Sequence, residues 1–342
     1  MSGGLRQADR LLEERGISED FGAFVTEAAW TRDGLVSACA LGDGTLALAD
    51  RGGFRRVAAH DGAALALCAD GGPAGFLSGG DDGRFLAVSA AGEITEIARF
   101  GMKWVEHVAS HASGHRAAAI GKKLHLFDQA GRTQKQLDHP SAITGLAFDA
   151  KGKRVAAAHY NGVSLWFVAS KSDNPRRLEW KGSHTALAWS PDNDVVVTAM
   201  QENALHGWRL SSGEHMRMSG YPAKTQSLSF SRSGKFLATS GAETVVLWPF
   251  SGGGPMGKPP LELAGGDGVL CTRVACHPVH DTVAAGFADG LVVLADIASE
   301  RILPVAAPGR GAISALAWSA DGANLVFGTE TGFVARVDFS KR

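Results

Sequence analysis

The chain has little that would tie it to a membrane, a polyanion or an oxidising compartment. Its 342 residues hold 34 Lys and Arg against 35 Asp and Glu, a net charge of -1, so no global basic field draws in nucleic acid or anionic lipid. No apolar run approaches the roughly 20 residues of a membrane span. Residues 1–20 carry Arg6, Asp9, Arg10, Glu13, Glu14 and Arg15 where a signal peptide would have its apolar stretch. Only four cysteines occur, Cys39, Cys68, Cys271 and Cys276. They lack the paired spacing of a zinc knuckle or a disulfide framework and read as small buried hydrophobes. The expectation is a cytoplasmic protein with no cofactor, no nucleic-acid partner and no membrane association.

What the chain does have is a unit that recurs about every forty residues. Each reads as strand, polar turn, strand, Asp-Gly-like turn, strand and then a weaker fourth strand. The third strands end at Ala49-Asp50, Val88-Ser89, Phe127-Asp128, Trp166-Phe167, Trp208-Arg209, Trp248-Pro249, Ala295-Asp296 and Val337-Asp338, with spacings of 39, 39, 39, 42, 40, 47 and 42. A four-stranded unit at this period cannot bury both faces alone, and a ring of such units is a β-propeller. Eight blades of mostly four antiparallel strands are expected, with seven as the alternative. The first strands align on Trp30, Cys68, Ser110, Phe148, Trp189, Phe230, Cys276 and Trp318. Turns such as Thr31-Arg32-Asp33-Gly34 supply the backbone conformations a tight hairpin needs. Second strands rich in Ala, Val and Gly suit a wedge that narrows toward the axis. The loop at 251–260, rich in Gly and Pro, accounts for the longest spacing.

Two domains are expected: an N-terminal helical segment over 1–22 and the propeller over 23–342. Leu5, Ala8, Leu11 and Leu12 fall on one side of the helix, which would cap a face or edge of the ring. The chain stops just after the third strand of unit eight. Its outer strand comes either from the N-terminal segment or not at all.

At unit two the pattern becomes specific. His60-Asp61-Gly62, then residues 76–83 with Ser78 and Asp82, then 85–88 resemble a repeat of the WD-repeat propeller family. Units four and eight are similar, through His139, Asn161-Gly162 and Trp166, and through Trp318-Ser319 and Asp321-Gly322. No Trp-Asp dipeptide occurs, and most units lack the His before the first strand. The resemblance implies a buried His, Ser/Thr, Asp and Trp network tying each blade together, retained in unit two as His60, Ser78 and Asp82. It also implies a scaffold for protein partners.

Three groups of residues invite chemistry. His60, Ser78 and Asp82 share the residue types of a hydrolase triad, but Ser78 lies in a strand pattern instead of on an exposed nucleophile turn. His107, His111 and His115, four apart in one hairpin, offer zinc-like ligands, and they carry the alternative reading of a metal-binding propeller. Glu27, His107 and Arg273 stand three residues before the first-strand aromatic position, where they would line a water-filled axial channel. No coherent catalytic set emerges, so the chain is read as a non-enzymatic scaffold binding a protein or peptide. Aromatics in loops are the residue types that anchor interfaces. Trp104, Tyr160, Trp180 and Tyr221 all fall at one face, with Met102 and Arg310 extending the patch.

Overall fold

The computed structural model describes residues 2–340, with side chains of the N-terminal helix described from residue 9. The fold is an all-β propeller preceded by one short helix, Ser2–Arg15. Unit one shows the plan: Val25–Trp30, Ser37–Leu41, Thr45–Asp50 and Gly53–Ala58 pair antiparallel in chain order. The first strands of neighbouring units touch and form the inner wall.

Counted as unbroken hydrogen-bonded sheets there are seven, the number of the seven-bladed alternative: six of four strands and one of six. The six-stranded sheet carries units four and five, so the same structure contains eight four-stranded units. Two long strands explain the difference. Arg154–Phe167 folds back on itself at Asn161 and Gly162, whose φ angles are 68° and 141°. Accordingly, Val168 N donates to Lys153 O at 3.0 Å and His159 Nε2 meets Ser164 Oγ at 2.9 Å. Arg176–Trp189 pairs with the third strand of unit four through its first residues, and with Val195–Met200 through its last. One strand is thus the outer edge of unit four and the inner strand of unit five.

Side chains lace the inner wall in both directions. Four positions before the first-strand aromatic, hydroxyls reach forward. Thr26 Oγ1 donates to Ala64 O, Thr272 Oγ1 to Ile313 O and Ser314 Oγ to Val25 O, each at 2.7 Å; Thr144 does the same to His184 O. The first-strand indoles reach backward: Trp30 Nε1 donates to Ala317 O at 3.0 Å, Trp189 to Ala147 O at 3.2 Å and Trp318 to Ala275 O at 3.1 Å. The recurring Trp is there both to fill the wedge and to satisfy a neighbour's carbonyl. Between units the core is apolar, with Phe76, Phe85, Phe127, Phe287 and Phe327 fully buried.

The N-terminal segment closes the ring. Gly16–Asp20 pairs with Phe333–Asp338 as the outer strand of unit eight, so five residues expected in a separate N-terminal segment belong to the last sheet. The helix lies over units seven and eight. Leu12 is buried among Leu294, Ala306 and Phe327, and Asp9 accepts a hydrogen bond from Ala307 N at 2.7 Å. The side chains of Leu5 and Ala8, expected on the same face, lie outside the described residues. Across the seam Arg336 donates to Ala49 O at 3.1 Å and lies 4.8 Å over Trp30.

Candidate functional site

The strands and turns bring together two of the four expected aromatic anchors. Tyr160 sits at the apex of the unit-four hairpin and is 52% exposed; Trp180, at the end of the outer strand, is 36% exposed. They line one groove of about 720 Å³ with Ser141, Arg177, Glu179 and Lys181. Local bonds fix the geometry. Tyr160 N donates to Ser141 Oγ at 2.9 Å, and Asn161 Oδ1 accepts from Gly182 N at 3.2 Å, tying the turn to the segment that follows Trp180. The indole of Trp180 stacks on His206 with centroids 3.9 Å apart and planes 14° from parallel. His184 Nε2 bonds Trp180 O at 2.9 Å. An aromatic held this way loses little freedom when a partner covers it.

His206, absent from the expected set, is therefore the groove's support. It is buried, and its Nε2 meets His215 Nδ1 at 3.0 Å. Burial, with His215, His184 and Arg217 adding to it, pushes its pKa down to about 3, so the ring under Trp180 stays neutral at physiological pH. Only its place two residues before Trp208 on the same strand, Ala204–Arg209, hinted at this role. Arg177, Glu179 and Lys181 make no ion pair among the described residues, leaving both signs of charge on the rim.

The other anchors lie elsewhere. Met102 and Trp104, 91% and 56% exposed, share the loop that leads into unit three. Arg310 is engaged: its guanidinium grips Asp9 at 2.8 Å and 3.0 Å and lies over Phe333, clamping the helix to the ring. Tyr221 requires a correction. It is buried, its hydroxyl 2.6 Å from both Trp248 Nε1 and Thr239 Oγ1. Unit four has His139 in the same place, accepting from Trp166 Nε1 at 3.0 Å. A tyrosine thus replaces the histidine of the blade network in unit six, because its phenol can accept from the indole while bonding the threonine.

Unit two holds the triad-like set in a triad's order. His60 Nε2 meets Ser78 Oγ at 2.9 Å and its Nδ1 meets Asp82 Oδ1 at 3.0 Å. Yet Ser78 is fully buried and its hydroxyl donates to Ala66 O. Asp82 is spent on the N–H groups of Asp61 and Arg84. Burial pushes the pKa of His60 down, against the pull of Asp82. A sealed hydroxyl has no substrate to attack, and the set ties the blade together.

His107, His111 and His115 do not converge. His107 stands opposite Ala119 on the inner strand, His111 bonds Ser113 Oγ at 2.8 Å, and His115 stacks on Phe148. Among the described residues no three His, Cys, Asp or Glu side chains are grouped to hold a metal ion. Nor do the three axial residues form one cluster. The surrounding protein pushes the Glu27 carboxyl upward, and the charge of Arg273 opposes the shift. Arg273 itself donates to Ser314 O at 2.7 Å and Gln226 Oε1 at 2.8 Å. His107 is pushed down to about 4 by burial alone.

Comparison with known proteins points the same way as the repeats. No protein-family model matches the chain. It is 27% identical over 222 residues to telomerase protein component 1 of Mus musculus, covering 62% of this chain and 8% of that protein. Autophagy-related protein 16 of Arabidopsis thaliana is 24% identical over 230 residues, 64% of this chain and 44% of that protein. Pre-mRNA-processing factor 19 homolog 2 of the same plant is 24% identical over 119 residues, 32% and 22%. All three are WD-repeat proteins. The likeness is to WD-repeat propellers. The chain spans less than half the length of each of these relatives. The crystal structure of the computationally designed Ika8 protein superposes with a TM-score of 0.75 at 20% identity, covering 94% of this chain and 98% of that one, a likeness of fold alone. No helix among the described residues is long and apolar enough to cross a membrane.

Proposed function

We propose that this protein is a non-enzymatic propeller scaffold that holds a protein or peptide partner in the groove between Tyr160 and Trp180. The observation that carries the reading is the convergence of two partly exposed aromatics, one of them stacked on a buried neutral histidine, on a groove of about 720 Å³. Pre-positioned aromatics with unpaired charges at their rim are what interface hot spots consist of. Trp104 and Met102, on a neighbouring loop of the same face, extend the contact for a larger partner. The WD-repeat relatives support a scaffold role, and the sealed Ser78 leaves the triad-like set to structure.

The test is affinity capture with full-length bait, comparing the wild type with Tyr160→Ala/Trp180→Ala. A partner held by the wild type and lost by the double variant, with hydrogen-exchange protection appearing at 176–182 on binding, supports the assignment. Equal capture by both baits removes the groove from it.

A further inference from the structure

On the opposite face, where the turns after the first and third strands lie, units three and four enclose a second cavity of about 570 Å³. Ser113, His115, Lys151, Lys153, Phe167 and Ser170 line it, and no Asp or Glu does. Lys151 and Lys153 make no ion pair among the described residues. The nearest acid in sequence, Asp149, is spent on Arg154 at 2.8 Å and on the Lys153 N–H at 2.8 Å. Lys135 adds charge at the back by donating to Ser170 O, shared with the exposed Asp173 at 3.5 Å. The His115 ring lies 6.4 Å from that of Phe148, centroid to centroid, with planes 21° apart, and has no side-chain hydrogen bond among the described residues. Phe167 is 55% exposed beside these groups. In a chain of net charge -1, such a cluster is a property of the site and not of the whole.

We infer that this cavity is a second docking site, for an acidic peptide segment that places an apolar side chain on Phe167 and carboxylates on Lys151 and Lys153. Exposed apolar area next to unopposed positive charge is complementary to acids alternating with an apolar residue. Lysine ammonium groups are mobile point charges. No arginine lines the cavity, and the amides of its Gly152 turn are spent on Asp149, Gly152 N on the carbonyl at 2.9 Å and Lys153 N on the carboxylate at 2.8 Å; with neither a guanidinium fork nor free amides to select phosphate, carboxylates are the matching anions. The site shares no residue with the Tyr160 groove and stands whether or not that groove binds anything.

Fluorescence anisotropy of the full-length chain with a short labelled peptide of alternating Glu and Phe tests it. Binding is expected to weaken at least about tenfold in Lys151→Glu/Lys153→Glu and comparably in Phe167→Ser, and to fall as salt shortens the screening length. Lys224→Glu, on the other face, should leave it unchanged. Lys151→Gln/Lys153→Gln gives the same loss without adding negative charge, and melting curves show that each variant is folded. The inference is overturned if charge reversal has no effect. It is overturned too if inorganic phosphate displaces the peptide at equal charge, or if a Glu-only peptide binds as tightly and ignores Phe167→Ser.

Discussion

Within each blade one polar network is rebuilt with different side chains. Unit two uses His60, Ser78 and Asp82, unit four His139 and Trp166, and unit six Tyr221, Thr239 and Trp248. Tyr221→Phe would strand the Trp248 N–H in the core, at a cost of about 1–3 kcal/mol. Urea unfolding should show that loss while partner capture is unchanged; a neutral result would mean that water replaces the phenol. The histidines also predict an acid limb of stability. His139 and His206 have pKa values lowered to about 4 and about 3, chiefly by burial, below the ordinary value near 6.5. The unfolded chain therefore takes the proton first. Their contribution is complete above about pH 6.5 and is lost as pH falls toward 4, by at most about 1.4 kcal/mol per pH unit for each group. Unfolding curves near pH 7 and pH 5 check this, and equal stability at both would refute it.

At the scale of the element, the second strands show why small residues recur. Gly286 faces the side chain of Ile313, and a Cβ on Gly328 would come within 2.5 Å of Val25 Cγ1. The first strand of the next unit fills the space a side chain would need. Gly328→Ala should destabilise by about 1–3 kcal/mol through overpacking, and Val25→Ala in the same chain should recover part of it. Thermal melts of the single and double variants measure the coupling, and additive losses would mean that the two positions do not oppose each other. The inner wall also depends on indoles. Trp318→Phe keeps most of the apolar volume and leaves Ala275 O without its side-chain donor, for an expected loss of about 1 kcal/mol.

The whole molecule is held by its seam. Gly16–Asp20 completes unit eight, the helix is clamped by Asp9 and Arg310, and Arg336 crosses to Ala49. A ring closed by a strand from the other end of the chain turns nearest-neighbour units into one cooperative body. Removing residues 1–20 should leave an exposed edge strand on unit eight, broaden the unfolding transition and promote association. Asp9→Ala, which loses the Arg310 clamp and the bond from Ala307 N but keeps the closing strand, should lower stability modestly with the transition still sharp. Calorimetry with size-exclusion chromatography distinguishes the two, and a truncated chain that stays monomeric and melts sharply would show that the seam is dispensable.

Much of this was legible in the chain. Strand alternation, turn residues and the forty-residue period are local, so the propeller and its units could be read directly, while the unit-two network followed from the resemblance to the WD-repeat family. What stayed hidden depends on how units meet. The hairpin at Tyr160 and the strand shared by units four and five make seven continuous sheets of eight units, a distinction no spacing carries. Tyr221 and Tyr160 look alike beside their strands, yet one phenol turns inward to an indole and the other outward to a groove. The sequence by itself determined the architecture, because each strand and turn is written in neighbouring residues. The tertiary structure alone decided closure, the partner of each aromatic and the two cavities. Those depend on contacts between residues far apart in the chain, such as Asp9 with Arg310 and Gly16–Asp20 with Phe333–Asp338.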